Sequence, residues 1–192
     1  MAFLQSLDED AHLYEVMKKM PAAAVPLFQM HDILLRGEAH FSVAEKELIA
    51  TYTSGLNACS FCYRGHVAAT KLFGIAEDVI DAVMDDIETA PVREEMKPIL
   101  RYVRKLTLEP SKMVQADADA VFAAGWSDEA LLEAVNICAL FCMMNRIADG
   151  AGVRADNTRT TLAKVKWDSY TENLVNYGFE MPGGAAKEAS GA

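Results

Sequence analysis

Nothing in this chain reads as a β-strand. No run alternates apolar and polar positions over several β-branched residues between turn signals, which excludes a sheet-based fold. Concentrated positive charge is missing as well. No basic run reaches five residues, and 18 Lys and Arg stand against 28 Asp and Glu, a net charge of −10. Neither a nucleic-acid phosphate backbone nor an anionic membrane is favoured as a partner by such a surface. The first ten residues, Met1 to Asp10, have no basic n-region and no long apolar h-region, so they do not read as a secretory signal. The longest apolar stretch, Ala134 to Met144, is broken by Asn136 and is too short to span a bilayer. A soluble, cytoplasmic protein is expected. Cysteine is scarce, with four in 192 residues. A chain of this length buries roughly 70% of its unfolded surface, so its core needs no covalent staples. In a reducing compartment, cysteines so used point to catalysis or metal binding rather than to a disulfide scaffold.

What the chain has instead is helical period almost throughout. Residues 10–20 form a short amphipathic stretch, and residues 22–36 a second helix with Pro26 in its first turns and Gly37 after it. Ser42 and Glu45 have the spacing of a capping box, opening a helix to about Ser54. Gly55 and Asn57 predict a break. A helix over 58–73 follows, with Gly74 as its terminal glycine, then one over 77–86. Pro91 suits the first turn of a helix running to Leu108. Helices over 113–123, 128–149 (capped by Ser127) and 156–177 complete the pattern. The expected fold is all-α, with about eight to nine helices in a single domain over residues 1–181. The Pro-, Gly- and Ala-rich residues 182–192 read as a disordered tail. The segments 42–50 and 127–135 are both capped helix starts leading into cysteine-bearing sequence, which hints at a duplicated helical unit.

The densest chemistry lies in Cys59-Ser60-Phe61-Cys62-Tyr63-Arg64-Gly65-His66, a C-x-x-C-x-x-x-H pattern with Glu47 twelve residues upstream. On a helix, Cys59, Cys62 and His66 share one face. A cysteine at a helix N-terminus is favoured as thiolate, the form that attacks peroxides and disulfides. A second thiol within reach can collapse a sulfenic acid to a disulfide. His66 is placed to take a proton, and Glu47 to orient His66. Two other readings remain open. Cys59, Cys62 and His66, with Glu47 as a fourth ligand, have donor types suited to structural zinc, and cysteines also pack inertly in buried helices.

Glu47-x11-Cys59-x2-Cys62-x3-His66 resembles the signature of AhpD-type alkylhydroperoxidases in the carboxymuconolactone decarboxylase-like superfamily. Residues 49–57 and 141–150, with Val153, resemble its peroxidase-related subgroup, and the likeness covers roughly residues 20–170. The resemblance implies an all-α fold and peroxide reduction through a Cys59/Cys62 disulfide cycle, with Glu47, Cys59, Cys62 and His66 at the catalytic positions. It also implies trimers or hexamers. The best-known peroxidases of the family carry a histidine just before the second cysteine; Phe61 stands there, removing one member of the proton relay. The expected substrate is an organic hydroperoxide, with Cys62 meeting it and Cys59 resolving. A protein or small dithiol would restore the pair, without metal, flavin or haem. A lactone-type decarboxylase and a non-catalytic redox-sensing oligomer are the alternatives.

Cys138 and Cys142, four apart in the most apolar helix, read as core packing. Asn145, Arg146 and Asp149 read as a buried polar cluster, an oligomer contact or part of the redox pocket. His12, His31 and His40 have no partner at ligand spacing and read as surface or locally satisfied histidines. Long apolar helices without enough chain to cover every face predict a homo-oligomer. Light scattering at micromolar concentration should therefore give a mass above the monomer's 21.0 kDa; a clean monomer would contradict this.

Overall fold

The computed structural model describes residues 2–155 and 165–181. Among these residues the secondary structure is helical throughout. The helices are α1 (Leu13–Met17), α2 (Pro21–Arg36), α3 (Val43–Leu56), α4 (Ser60–Leu72), α5 (Glu77–Asp85), α6 (Met96–Leu108), α7 (Gln115–Ala123), α8 (Asp128–Gly150) and α9 (Tyr170–Asn176), with a 3-10 turn at Pro110–Lys112. The all-α fold expected from the sequence is the fold observed. The tail over 182–192 and the first part of the predicted 156–177 helix lie outside the described residues.

α3 is the centre. It packs against α2, α4, α5, α6 and α8, and every residue from Lys46 to Ser54 is buried. A helix enclosed on all sides needs no polar stripe. Its start is the predicted capping box: Ser42 Oγ accepts from Glu45 N–H, and Glu45 Oε2 accepts from Ser42 N–H at 2.9 Å. The chain then turns back sharply into α4. Gly55 lets Met84 pack close to this corner: a Cβ there would lie 2.7 Å from Met84 Sδ, so that the methionine side chain would have to swing aside. Ala58 takes φ +55°, the left-handed region that a side chain disfavours by about 1–2 kcal/mol. Hydrogen bonds from Ala58 N–H to Gly55 O and from Cys59 N–H to Ser54 O hold it there.

Three boundaries differ from expectation. The first helix is only five residues, and His12 is its N-cap. The helix expected from Pro91 begins at Met96. Arg93 Nε donates to Glu45 Oε1 at 2.6 Å and its guanidinium lies 4.6 Å from the Trp126 ring, so the strand of chain before Met96 is held by tertiary contacts. Pro98, in the first turn of α6, is the proline that exploits the free N–H positions of a helix start. The last helix begins at Tyr170, residues 165–169 before it are not helical, and the expected start at 156 lies outside the described residues. Ser169 caps it, and Asp32 of α2 completes its N-terminus. Asp32 Oδ1 accepts from Tyr170 N–H at 2.5 Å, and Oδ2 from Thr171 N–H at 2.9 Å and Thr171 Oγ1 at 2.6 Å.

α8 is 23 residues long and apolar enough to cross a membrane by length and composition, but half of that span is buried inside the fold. It carries buried Glu133 and Asn145, and it packs on α3 and α6. α8 starts with a Ser127 cap as α3 does with Ser42. The two then diverge: α3 ends at the corner before Cys59, whereas α8 continues unbroken past Cys138 and Cys142.

Asp32→Ala should lower the unfolding free energy by about 1–3 kcal/mol, the range for losing a charged acceptor from partly buried donors. Urea unfolding with an unchanged m-value would measure it; a midpoint equal to wild type would show that α9 docks without this carboxylate.

Candidate active site

The corner between α3 and α4 makes Cys59 the N-cap of α4, with Cys62 in the first turn and His66 one turn further. All three are buried. The S–H of Cys62 holds the Cys59 thiol below its usual pKa. Burial opposes this, the Cys62 backbone N–H adds to it, and the Asp149 carboxylate works against it. Cys62 is correspondingly pushed up, by the proton it gives to Cys59 and by burial. A single negative charge on the pair therefore rests on Cys59, with Cys62 carrying the shared proton.

Glu47 lies on α3 with no exposed surface. His66 Nδ1 sits 2.6 Å from its Oε2. Arg36 Nη2, from α2, donates to Oε1 at 2.6 Å, and the Tyr170 hydroxyl, from α9, donates to the same oxygen at 3.1 Å. Burial alone raises the Glu47 carboxyl, but His66 and Arg36 together bring it below its usual value. It is a carboxylate at neutral pH. Because it accepts at Nδ1–H, neutral His66 keeps its lone pair on Nε2, the nitrogen a base needs.

Cys62 and His66 open onto one pocket of about 740 Å³, mouth included, walled by aromatic rings including Phe28, Phe61, Phe141 and Trp167. Phe141 meets the His66 ring edge-on at 4.4 Å between centroids. Cys59 does not line this pocket; it borders a shallower face with Ser54, Gly55, Tyr63 and Met84. The four residues singled out in the sequence are thus brought together, and of the two cysteines only Cys62 lines the aromatic-walled pocket.

Several neighbours had no signal at short range. Arg36 and Tyr170 complete the Glu47 cluster from eleven and 123 positions away. Asn145 is buried on α8. Its Nδ2 donates to Ser54 Oγ at 3.1 Å and its Oδ1 accepts from Asn57 Nδ2 at 2.9 Å. It also bonds to Cys62 and favours that thiolate. Asn145 and Asp149 therefore flank the dithiol, while Arg146 is exposed and donates to the Cys142 carbonyl. A polar residue on the buried stripe of an apolar helix is the sequence feature that marks Asn145. Cys138 is buried beside Thr107, as expected of a packing residue. Cys142 is only half-buried, and its thiol is brought down to about 5 by the Cys138 S–H first, then by Asn57 and Arg146. His12 and His31 are buried and locally hydrogen-bonded, and both line the pocket. His40 is exposed and pairs with Glu133. Among the described residues no group of three or more His, Cys, Asp and Glu side chains is placed to hold a metal ion.

Residues 21–91, which span α2 to α5 and hold Glu47, Cys59, Cys62 and His66, match the carboxymuconolactone decarboxylase family. Among solved structures, the chain is similar to an alkylhydroperoxidase AhpD core, an uncharacterized peroxidase-related protein from Ralstonia eutropha JMP134. The TM-score is 0.67, with 25% identity, covering 72% of this chain and 73% of that one. An uncharacterized peroxidase-related protein from Silicibacter sp. TM1040 gives a TM-score of 0.66 at 20% identity, over 83% of this chain and 95% of that one. The debrominase Bmp8, as a cysteine-to-alanine variant in complex with 2,3,4-tribromopyrrole, gives 0.64 at 16% identity, over 86% and 81%. No curated protein matches the chain.

His66→Ala should slow alkylation of the Cys59/Cys62 pair by iodoacetamide on the order of tenfold at pH 7 and move its pH profile upward, because the proton acceptor is gone. Glu47→Gln should act in the same direction and less. A profile unchanged by His66→Ala would remove the histidine from the proton path.

Proposed function

We propose that this chain, a member of the AhpD- and carboxymuconolactone-decarboxylase-like superfamily, is a thiol-dependent peroxidase that reduces organic hydroperoxides through a Cys59/Cys62 disulfide cycle. The observation that carries this reading is that the Glu47–His66 pair and the Cys59/Cys62 thiol pair meet at one aromatic-walled pocket, which His66 and Cys62 both line.

His66 Nε2 takes one proton from the dithiol. The remaining proton lies between the sulfurs, and its shift from Cys62 to Cys59 puts the charge on the sulfur that faces the pocket. Cys62 attacks the terminal oxygen of R–O–OH. The O–O bond breaks, a Cys62 sulfenic acid forms, and the alkoxide takes the proton held by His66 to leave as R–OH. Cys59 then gives its proton to His66 and attacks Cys62 Sγ; hydroxide leaves and is protonated to water. Two thiols are oxidised, and a protein or small dithiol is the reductant that restores them. A positioned acid–base group of this kind is worth roughly 10²–10⁴-fold in rate. Apolar walls favour a bulky organic peroxide over hydrogen peroxide, and Phe61, which borders the pocket, adds to that preference. A lactone decarboxylation needs no paired thiols, and a sensor disulfide gains nothing from an aromatic-walled pocket beside it, so both alternatives fit the geometry less well. Work as a homo-oligomer in the cytoplasm belongs to this same proposal.

One equivalent of cumene hydroperoxide should consume two thiols and link Cys59 to Cys62, with Cys138 and Cys142 still reduced, as mapped by mass spectrometry. Cys142 makes this a sharp test, since its thiol is also acidified and more open. Oxidation that falls on Cys142 and spares the Cys59/Cys62 pair would end the proposal.

A further inference from the structure

Three histidines line the pocket over Cys62, and the chemistry above uses only one. Their neutral forms are fixed by local hydrogen bonds, and they are not alike. His31 Nδ1 lies 2.8 Å from the Leu27 carbonyl, which can only accept, so its proton is on Nδ1 and its Nε2 is bare. His66 is in the same state, through Glu47. His12 is the reverse. As N-cap of α1 its Nδ1 accepts the Tyr14 N–H at 3.2 Å, which leaves the ring proton on Nε2. Burial takes its pKa down to about 4, so this neutral tautomer holds at pH 7.

The His12 ring is also held in place. Its backbone N–H donates to Glu15 Oε2 at 2.7 Å. It stacks with Tyr14 at 5.1 Å and Tyr177 at 5.4 Å, and Phe61 meets it edge-on at 5.4 Å. Among the described residues Nε2 has no hydrogen-bond partner, and it is not among the sealed polar atoms of the interior. Among the other donors at the pocket, the Tyr170 hydroxyl is committed to Glu47 and Arg64 Nη1 to the Ala155 carbonyl, whereas the Trp167 indole N–H has no such partner among the described residues. Phe61, which the His12 ring touches, directly precedes Cys62 in the chain.

We propose that His12 Nε2–H is a substrate-binding donor of this pocket, holding the oxygen of a neutral aromatic hydroperoxide whose ring lies among Phe28, Phe141 and Trp167. The inference rests on the peroxidase reading for the identity of the substrate. The ligand's O–H has bare Nε2 acceptors available at His66 and His31. When the O–O bond breaks, the developing alkoxide gains the His12 hydrogen bond, while its proton comes from His66; His12 keeps its own.

His12→Asn separates this role from the helix cap, because asparagine is a strong N-cap but too short to replace the ring's Nε2–H. His12→Asn should keep the alkylation pH profile of wild type, while the lost ring contacts with Tyr14, Tyr177 and Phe61 lower its melting temperature without unfolding it at the assay temperature. It should lower kcat/KM for cumene hydroperoxide by on the order of 10–100-fold, as for loss of one preorganised donor. A binding readout keeps the two proposals apart. Acetophenone accepts a hydrogen bond and isopropylbenzene does not. Titrated calorimetrically against wild type, both should bind. His12→Asn should weaken acetophenone about five- to tenfold and leave isopropylbenzene within twofold. Loss of the acetophenone preference in a protein without peroxide turnover would sink the peroxidase reading and leave the donor site standing. Equal affinities and equal kcat/KM in wild type and His12→Asn would overturn the inference, as would failure of both compounds to bind wild type.

Discussion

A carboxylate with no exposed surface is the constraint on which both the fold and the site depend. Removing Glu47 from water costs several kcal/mol unless the charge is matched and its lone pairs are filled. The matching groups come from four different helices: Glu47 itself from α3, Arg36 from α2, His66 from α4 and Tyr170 from α9. No two of these helices alone can satisfy it. The charge is tolerable only when all are docked, so the same contacts that orient His66 also specify how α2, α4 and α9 lie around α3. Asp32 repeats the device from the other side, using α2 to fix the start of α9. The geometry of the Glu47–His66 cluster is therefore not an addition to a finished bundle; it is one of the terms that selects the bundle.

What could be read in the sequence follows from how far each interaction reaches along the chain. The capping box at Ser42 and Glu45, the break after Ser54 and the shared face of Cys59, Cys62 and His66 are all set within a few residues, and local rules find them. Glu47 beside His66 was legible because the break at Gly55–Asn57 turns two helices back on each other. The rest was set by tertiary partners. Residues 91–95 have helix-compatible sequence but are held by Arg93 on Glu45 and Trp126. The last helix starts at Tyr170, where Asp32 accepts from the first two N–H groups. His12 has no periodic partner at all, and its place at the pocket depends on α1 folding under α2 and α4 neighbours far away in sequence.

The two sulfurs divide labour through an asymmetry that the C-x-x-C spacing alone does not reveal. Cys59, at the N-cap behind a strained Ala58, is the sulfur on which charge is stable. Cys62 is the cysteine of the pair that lines the pocket. One proton between them reconciles stability with access. Asn145 and Asp149, on α8, act on the pair differently, the first favouring charge on Cys62 and the second opposing charge on both sulfurs. The long apolar helix thus has a part in the site as well as in packing.

Arg36 touches more than Glu47. Its Nε donates to the carbonyl of Trp167 at 2.6 Å, and its guanidinium lies against Phe73 and Tyr170. One rigid, permanently charged group thereby joins a wall of the pocket to the carboxylate that governs His66. Free energies of binding are reciprocal. A guest that shifts Trp167 must pull on the guanidinium that holds Glu47, and whatever tightens the Arg36–Glu47 pair must alter the grip on that guest by the same factor. The wall of the pocket and the buried carboxylate are two ends of one side chain.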